Sequence, residues 1–375
     1  FIEAFYNNLK VKFKLNTDEN GNFILSGNQN IKLNKYIENK NFKNYISGKS
    51  NWNYKINIPS FNSTNKSIKI LAKSKLDGTE INLPEPFKKK KNIRSKTVIS
   101  ALYKENEFND ISITYNGIYS RLRSLDSLNG YIDFSGKIHN MPNNKLNIFG
   151  NIDILNINEW KKISAENKSN INYLQYINTI NINVSKLTID KIILDNFHAK
   201  GFSSNNVFTF NELTSSSDNF NIKASGDVEN NNVSSFKIYL KSGNLENLLN
   251  YWNFTHSLRD SSLDSNFNIT WKGNLFDFSL NKVYGNFSTN MKDGRIKKVG
   301  NRVTRIFGLF NIDLLAKRLS LDFDDVTKNG FYYNTLDGDF RIDSGSIFTT
   351  NLFVKGPSAE LLAVGTTDII NETYD

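Results

Sequence analysis

Leu263-Asp-Ser-Asn-Phe267-Asn-Ile269-Thr-Trp271-Lys-Gly273 decides the fold class. From Phe267 to Trp271 the odd positions are apolar and the residues between them polar, the period of two that belongs to a strand wetted on one face. The style continues through Leu275-Phe-Asp-Phe278-Ser-Leu280 and Tyr284-Gly-Asn-Phe287-Ser-Thr-Asn-Met291, with Asp293-Gly294 as the closing turn. The period then changes. Val299, Val303, Ile306, Phe307, Phe310 and Leu314 fall three or four apart with Lys298, Arg302 and Arg305 between them, which predicts one amphipathic helix over about 298–315. Strands resume at Leu319–Phe323, Gly330–Tyr333, Gly338–Ile342, Ile347–Val354 and Glu360–Val364.

Upstream the same grammar recurs. Trp52-Asn-Tyr54-Lys-Ile56-Asn-Ile58 puts Trp, Tyr and Ile on one face and Asn or Lys on the other, and Val11–Leu15, Ile111–Tyr115, Gly130–Phe134 and Phe236–Leu240 repeat it with short Gly- or Asn-bearing turns between. Two brief helices interrupt: a turn capped by Asn158 and reaching Trp160, and Asn244–Trp252 with Leu245, Leu248, Leu249 and Trp252 on one side. The expected fold is all-β, an extended twisted antiparallel sheet with a few short helices, whose apolar face is covered by folding into a sandwich or left as an open groove, while the short uneven strands disfavour a membrane barrel.

Composition sets limits. The chain has 375 residues, 38% of them hydrophobic, and a mean hydropathy of -0.47, which suits a thin sheet better than a thick two-layer core. With no Cys there is no disulfide frame, thiolate metal site or cysteine nucleophile. The net charge of +10 favours anionic neighbours such as lipid head groups, although a generically basic surface explains it as well. The run Lys88–Lys91 with Arg94 and Lys96 lacks interleaved aromatics and reads as a solvated loop, so no nucleic-acid partner is expected.

Several words of the last section, taken in order, resemble the carboxy-terminal AsmA-like region of YhdP-type proteins: Asp293-Gly-Arg-Ile, Arg305-Ile-Phe-Gly-Leu, Arg318-Leu-Ser-Leu-Asp-Phe323, Gly338-Asp-Phe-Arg-Ile-Asp343-Ser-Gly345, Thr349-Thr-Asn-Leu, Lys355-Gly-Pro-Ser-Ala359 and Gly365-Thr-Thr-Asp368. Near the other end, Trp52 with Ile58-Pro59, Ser74-Lys-Leu-Asp-Gly78 and Leu83-Pro84-Glu-Pro86-Phe87 is similar to the same family. The resemblance implies that the twisted antiparallel sheet is curled into an open groove, with groove repeats over 1–262 and a carboxy-terminal AsmA-like section over 263–375. It also implies a periplasmic protein, anchored in the inner membrane by a helix upstream of Phe1, that bridges the inner and outer membranes and carries phospholipid acyl chains.

Catalytic chemistry finds little support. His139, His198 and His256 stand far apart without metal-ligand spacing, and Asp324-Asp325, adjacent on a strand, would point to opposite faces. No phosphate-cradling glycine loop and no Gly-x-Ser-x-Gly elbow occurs. The expectation is a non-enzyme without cofactor or metal, and in the groove that the resemblance implies the lipid-facing residues would be Trp52, Tyr54, Ile56, Phe267, Ile269, Trp271, Phe278 and Phe323. Val303, Ile306, Phe307 and Phe310 would form a gate helix at the groove end. The alternative is a ligand-free β-sandwich array, structural or adhesive, at the cell surface.

Overall fold

The computed structural model describes residues 2–6, 9–37, 40–64, 66–124, 128–166, 173–229, 233–254, 258–296, 331–357, 360–368 and 373–374. The chain divides into two compact units, Phe1–Ser185 and Lys186–Asp375.

The first unit contains β1 (Ile2–Tyr6), β2 (Leu9–Thr17), β3 (Phe23–Ile31), α1 (Lys40–Asn44), β4 (Ile46–Gly48), β5 (Ser50–Ile58), β6 (Ile68–Ser74), β7 (Thr79–Ile81), β8 (Thr97–Lys104), β9 (Glu107–Tyr115), β10 (Ile118–Ser124), β11 (Gly130–Asp133), β12 (Leu146–Asn156) and α2 (Ile157–Glu166). The division falls inside β13 (Ile177–Ile189). Hydrogen bonding runs in a meander from β1 through β2, β3, β5, β6, β8, β9 and β10 to β11, each pair antiparallel. β4 and β7 form a separate small ladder.

Turn chemistry explains the tight connections. Lys104 to Glu107 turns through Glu105 and Asn106, and Tyr115 to Ile118 through Asn116 and Gly117, all four at positive φ, the two-residue hairpin geometry whose twist matches the strands. Between β2 and β3 the Asp18 carboxylate accepts the backbone N–H groups of Asn20 and Asn22 at 3.0 and 2.9 Å. One pairing departs from the purely antiparallel expectation: β11 and β12 are parallel. The link 134–145 carries the chain back to the starting end of β11, which lets β12 run alongside it in the same direction.

The second unit contains β14 (Ile192–Ser204), β15 (Val207–Ser216), β16 (Asn221–Glu229), β17 (Val233–Ser242), α3 (Leu245–Tyr251), β18 (Leu258–Arg259), β19 (Ser262–Lys272), β20 (Val283–Ile296), β21 (Phe331–Asp343), β22 (Ser346–Lys355), β23 (Glu360–Asp368) and β24 (Thr373–Tyr374). From β14 the ladder passes through β15, β16, β17, β19, β20, β21, β22 and β23 to β24, antiparallel throughout, with β18 beside β20. Among the described residues no pairing joins the first and last strands of either ladder into a closed barrel.

Three local expectations are corrected. Leu275–Asp277 is a 3-10 turn, not strand, because the Asp277 carboxylate accepts the Asn274 N–H at 2.9 Å and coils the segment; Phe278 follows it, off the sheet. Asp293-Gly294 is no turn: β20 runs through it with Asp293 at φ 53, a kink inside a long strand. The helix at Trp160 runs from Ile157 to Glu166, and its capping side chain is Asn156, whose Oδ1 accepts the Asn158 N–H at 3.0 Å. The expected gate helix, with Val303, Ile306, Phe307 and Phe310, and the strand carrying Phe323 lie outside the described residues.

Candidate functional site

Register assigns each strand residue to a face. In the first unit the paired positions Phe13, Gly27, Tyr54, Ala72, Ile99, Ile113, Ser120, Ile132 and Ile148 follow one another from β2 to β12. A neighbouring row joins Leu15, Leu25, Ile56, Ile70 and Ala101. In the second unit the corresponding row is Ala199, Leu213, Ala224, Ile238, Phe267, Phe287, Phe340, Thr349 and Gly365. Each unit thus has one apolar face spanning its ladder, called the inner face here.

The opposite face is polar for most of its extent. Tyr239 donates to Asp264 at 2.8 Å, Asn268 to Asn286 at 3.1 Å, Thr209 to Asp227 at 2.6 Å, and Asn290 to Asp337. Apolar side chains also stand out on it, among them Phe202, Tyr284, Leu362 and Val364.

Each inner face is sealed along one edge. In the first unit Trp52, Leu76 and Ile81 form a buried cluster with Ile46 and Leu83 against it, so the β4–β7 ladder and the following segment cover that edge. The covering segment is pinned: Tyr115 donates to the Phe87 carbonyl at 2.9 Å, the Trp160 indole donates to the Glu85 carbonyl at 3.1 Å, and the Phe87 ring meets Trp160 and Phe134 edge-on. Burial and the Glu85 carboxylate push the Tyr115 phenol up to about 12, so it stays a donor. Lys89, expected in a solvated loop, is buried, with its ammonium on the carbonyls of Thr79 and Lys90 at 2.6 and 3.1 Å; desolvation lowers its pKa. In the second unit α3 does the sealing: Leu245, Leu248, Leu249 and Trp252 pack with Met291, Leu336, Leu352 and Val354.

Away from those edges the face is half-buried, as at Ile56, Ile70, Ile113, Ile238, Phe267 and Ile269. Its aromatic rings lie against one another: Phe267 on Phe287 at 5.2 Å, Phe287 on Phe340 at 4.6 Å and Phe236 on Trp271 at 5.4 Å, all near parallel.

The polar groups on this face are turned into the sheet. Ser74 donates to the Asn51 carbonyl (2.7 Å), Tyr54 to Lys12 (3.2 Å), Ser120 to Ile113 (3.5 Å), Ser215 to Asp195 (2.6 Å), Ser234 to Gly273 (2.8 Å), Ser242 to Asn219 (2.7 Å) and Thr349 to Asp339 (2.8 Å). Ser265 and Thr289 satisfy each other at 2.6 Å. The indole N–H of Trp271 is held by the Asn274 carbonyl and that of Trp52 by the Ser50 hydroxyl. Donors committed in this way are withheld from a ligand.

Close backbone approach also occurs on this side. A Cβ on Gly226 would lie 2.3 Å from the Ser235 carbonyl oxygen and one on Gly27 2.6 Å from that of Lys12, so only glycine fits where the neighbouring strand crowds the inner face.

Of the residues singled out by sequence, Trp52, Tyr54 and Ile56 share the inner face of the first unit, and Phe267, Ile269 and Trp271 that of the second. Phe278 is 41% exposed and packs edge-on against Trp271 from its turn. The inner-face residues missed include Ile99, Ala101, Phe210 and Phe236. Val98-Ile-Ser-Ala-Leu102 hides the alternation because both of its faces carry apolar residues. His139 is bound to buried Asp133 at 2.6 Å, His198 lies 4.0 Å from Glu212, and no metal-holding cluster occurs among the described residues.

The family profile described as YhdP protein matches residues 2–189 and 161–375, overlapping stretches that together take in almost the whole sequence. The chain belongs to the YhdP protein family. A protein of Escherichia coli (strain K12), named intermembrane phospholipid transporter YhdP, is 22% identical over 141 residues, which make up 37% of this chain and 11% of that protein. No solved structure matches the chain. Among the described residues no helix is long and apolar enough to cross a membrane.

Proposed function

We propose that this chain is a periplasmic segment of a bridge between inner and outer membrane, and that phospholipid acyl chains lie along the inner faces of its two units. The observation that carries the reading is the commitment of inner-face hydroxyls to backbone carbonyls. A groove for glycans or peptides would hold donors and acceptors free for its ligand, whereas a surface for hydrocarbon has no use for them. Membership of the YhdP family and the name of the Escherichia coli relative, an intermembrane phospholipid transporter, support the same reading.

The energetic need is large. An acyl chain of ~16 carbons exposed to water costs on the order of 13 kcal/mol at ~0.8 kcal/mol per methylene. A floor of paired apolar rows, one strand every ~4.8 Å, removes that barrier in small steps while the head group stays in water. Glycines that admit close backbone approach on the inner side favour a sheet curled toward that side.

Lipid extraction tests the proposal. The purified chain should carry phospholipid, and a photoreactive residue at Ile238 should crosslink to its acyl chain. A chain free of phospholipid that also fails to accept it from phosphatidylethanolamine/phosphatidylglycerol vesicles would overturn the reading. The gate role for Val303, Ile306, Phe307 and Phe310, and lipid contact at Phe323, are part of the same proposal and are open to the same crosslinking.

A further inference from the structure

Tyr54 puts a phenol in the middle of the inner face of the first unit, between Gly27 on β3 and Ala72 on β6. A side chain of that length would stand up from the sheet if nothing restrained it. Instead, a Cβ built on Gly27 would lie 2.4 Å from the Tyr54 hydroxyl oxygen and 2.6 Å from Cζ, so the ring lies across β3 in the space a side chain at 27 would fill. Its hydroxyl reaches the strand beyond and donates to the Lys12 carbonyl on β2 at 3.2 Å. Burial raises its pKa, so the donor persists at ordinary pH.

The same device recurs in the second unit, where the Tyr333 hydroxyl lies 2.3 Å from a Cβ built on Gly294 and donates to Ser261 at 2.8 Å. Tyr333 is only 2% exposed and sits in the core with α3, so there the arrangement is structural. Tyr54 is half-buried on its face and stands outside the cluster of Trp52, Leu76 and Ile81 that seals the edge.

We propose that Tyr54 is a positioning residue of the conduit: the tether to Lys12 holds its ring flat across Gly27 and keeps this rung low enough for an acyl chain to pass. The inference rests on the transport reading above. An untethered phenyl of the same size is free to leave the glycine and stand in the path, whereas a shorter aliphatic side chain leaves the path clear.

The clearance role reverses the usual order of conservative substitution. With phosphatidylethanolamine/phosphatidylglycerol vesicles as donor and acceptor and the full chain as carrier, Tyr54→Leu, whose side chain cannot stand across the path, should transfer lipid faster than Tyr54→Phe. Tyr54→Phe should be slower by about three- to tenfold, the population shift that one neutral hydrogen bond controls, while retaining bound lipid. A purely structural tyrosine predicts the opposite order, with Phe tolerated and Leu impaired, and thermal unfolding of both variants reports that role separately. Should Tyr54→Leu not fold, Tyr54→Met takes its place with the same expectation. A wild-type chain that carries no lipid would sink the transport reading itself. A wild-type chain that carries lipid, with Tyr54→Phe as fast as the aliphatic variant, would overturn this inference alone.

Discussion

At the scale of single residues, consequence depends on which face a side chain serves. Ile269 pairs with Phe236 on one side and Gly285 on the other, half-buried on the inner face, and nothing in its own strand depends on its chemistry beyond burial. Ile269→Asp should therefore keep the ladder, whose bonds are backbone, at a cost of ~1–3 kcal/mol for the partly desolvated carboxylate. Lipid transfer should fall to background, because every passing chain meets the charge; a folded variant that transfers normally would remove the basis for the groove. Asp133 is structural by contrast. Burial alone would raise its pKa, but the bonds it accepts from His139, Lys137 N–H and Ser135 N–H outweigh burial and hold it below the usual carboxylate value. A depressed carboxylate contributes stability that is present above its unfolded value of 3.8 and lost as pH falls through the lower folded value. The melting temperature should accordingly drop below about pH 4, and Asp133→Ala, by stranding the donors of the 135–139 loop, should cost ~3 kcal/mol at pH 7 and flatten part of that dependence.

Elements either build a floor or seal its edge, and the second kind is where local energetics concentrate. The helix α3 is seven residues long and would not persist alone; it is held by Leu245, Leu248 and Leu249, all buried, and by Asn244, whose side chain accepts the Asn247 N–H at 3.0 Å. Leu248→Ala should destabilise the second unit by ~2–5 kcal/mol through the cavity it leaves, and Asn244→Ala by ~1 kcal/mol, both readable by denaturant unfolding. Losses below ~0.5 kcal/mol at Leu248 would mean that the helix does not seal the face. These helical leucines were legible in sequence because their spacing is local. Phe278 was not, because the apolar period of Leu275–Leu280 is the same whether the Asp277 side chain coils the segment or leaves it extended. The Lys88–Lys91 run misled for a related reason: composition cannot reveal that Lys89 meets two inward carbonyls presented by distant backbone. The parallel β11–β12 pair depends on where the link 134–145 returns the chain, and no residue within either strand encodes it.

Across the whole molecule the feature that recurs is the sorting of faces. In both units the inner face collects Ile, Leu and Phe together with hydroxyls already spent on backbone, while the outer face carries Asn, Asp, Lys and their mutual hydrogen bonds, interrupted in the first unit by Leu71, Val98 and Leu102. Period-two alternation in single strands announces this sorting, but continuity across strands is a matter of register, and register comes from hairpins and kinks that act between strands. A surface that only had to bury itself would be closed, and the half-buried rows show that each unit leaves part of its apolar face uncovered by its own described chain. If lipid fills that surface, the two sides of one strand must behave differently in the same experiment. Photoreactive residues at Ile56 and Ile70 in the first unit, and at Ile238 and Phe267 in the second, should capture phospholipid acyl chains, while the same group at Lys73, Lys237 or Asn268 should not. Alternate positions along β6, β17 and β19 thereby serve as each other's controls. Equal lipid capture on both faces would mean adventitious adsorption, and capture on neither would leave the apolar rows to a protein partner.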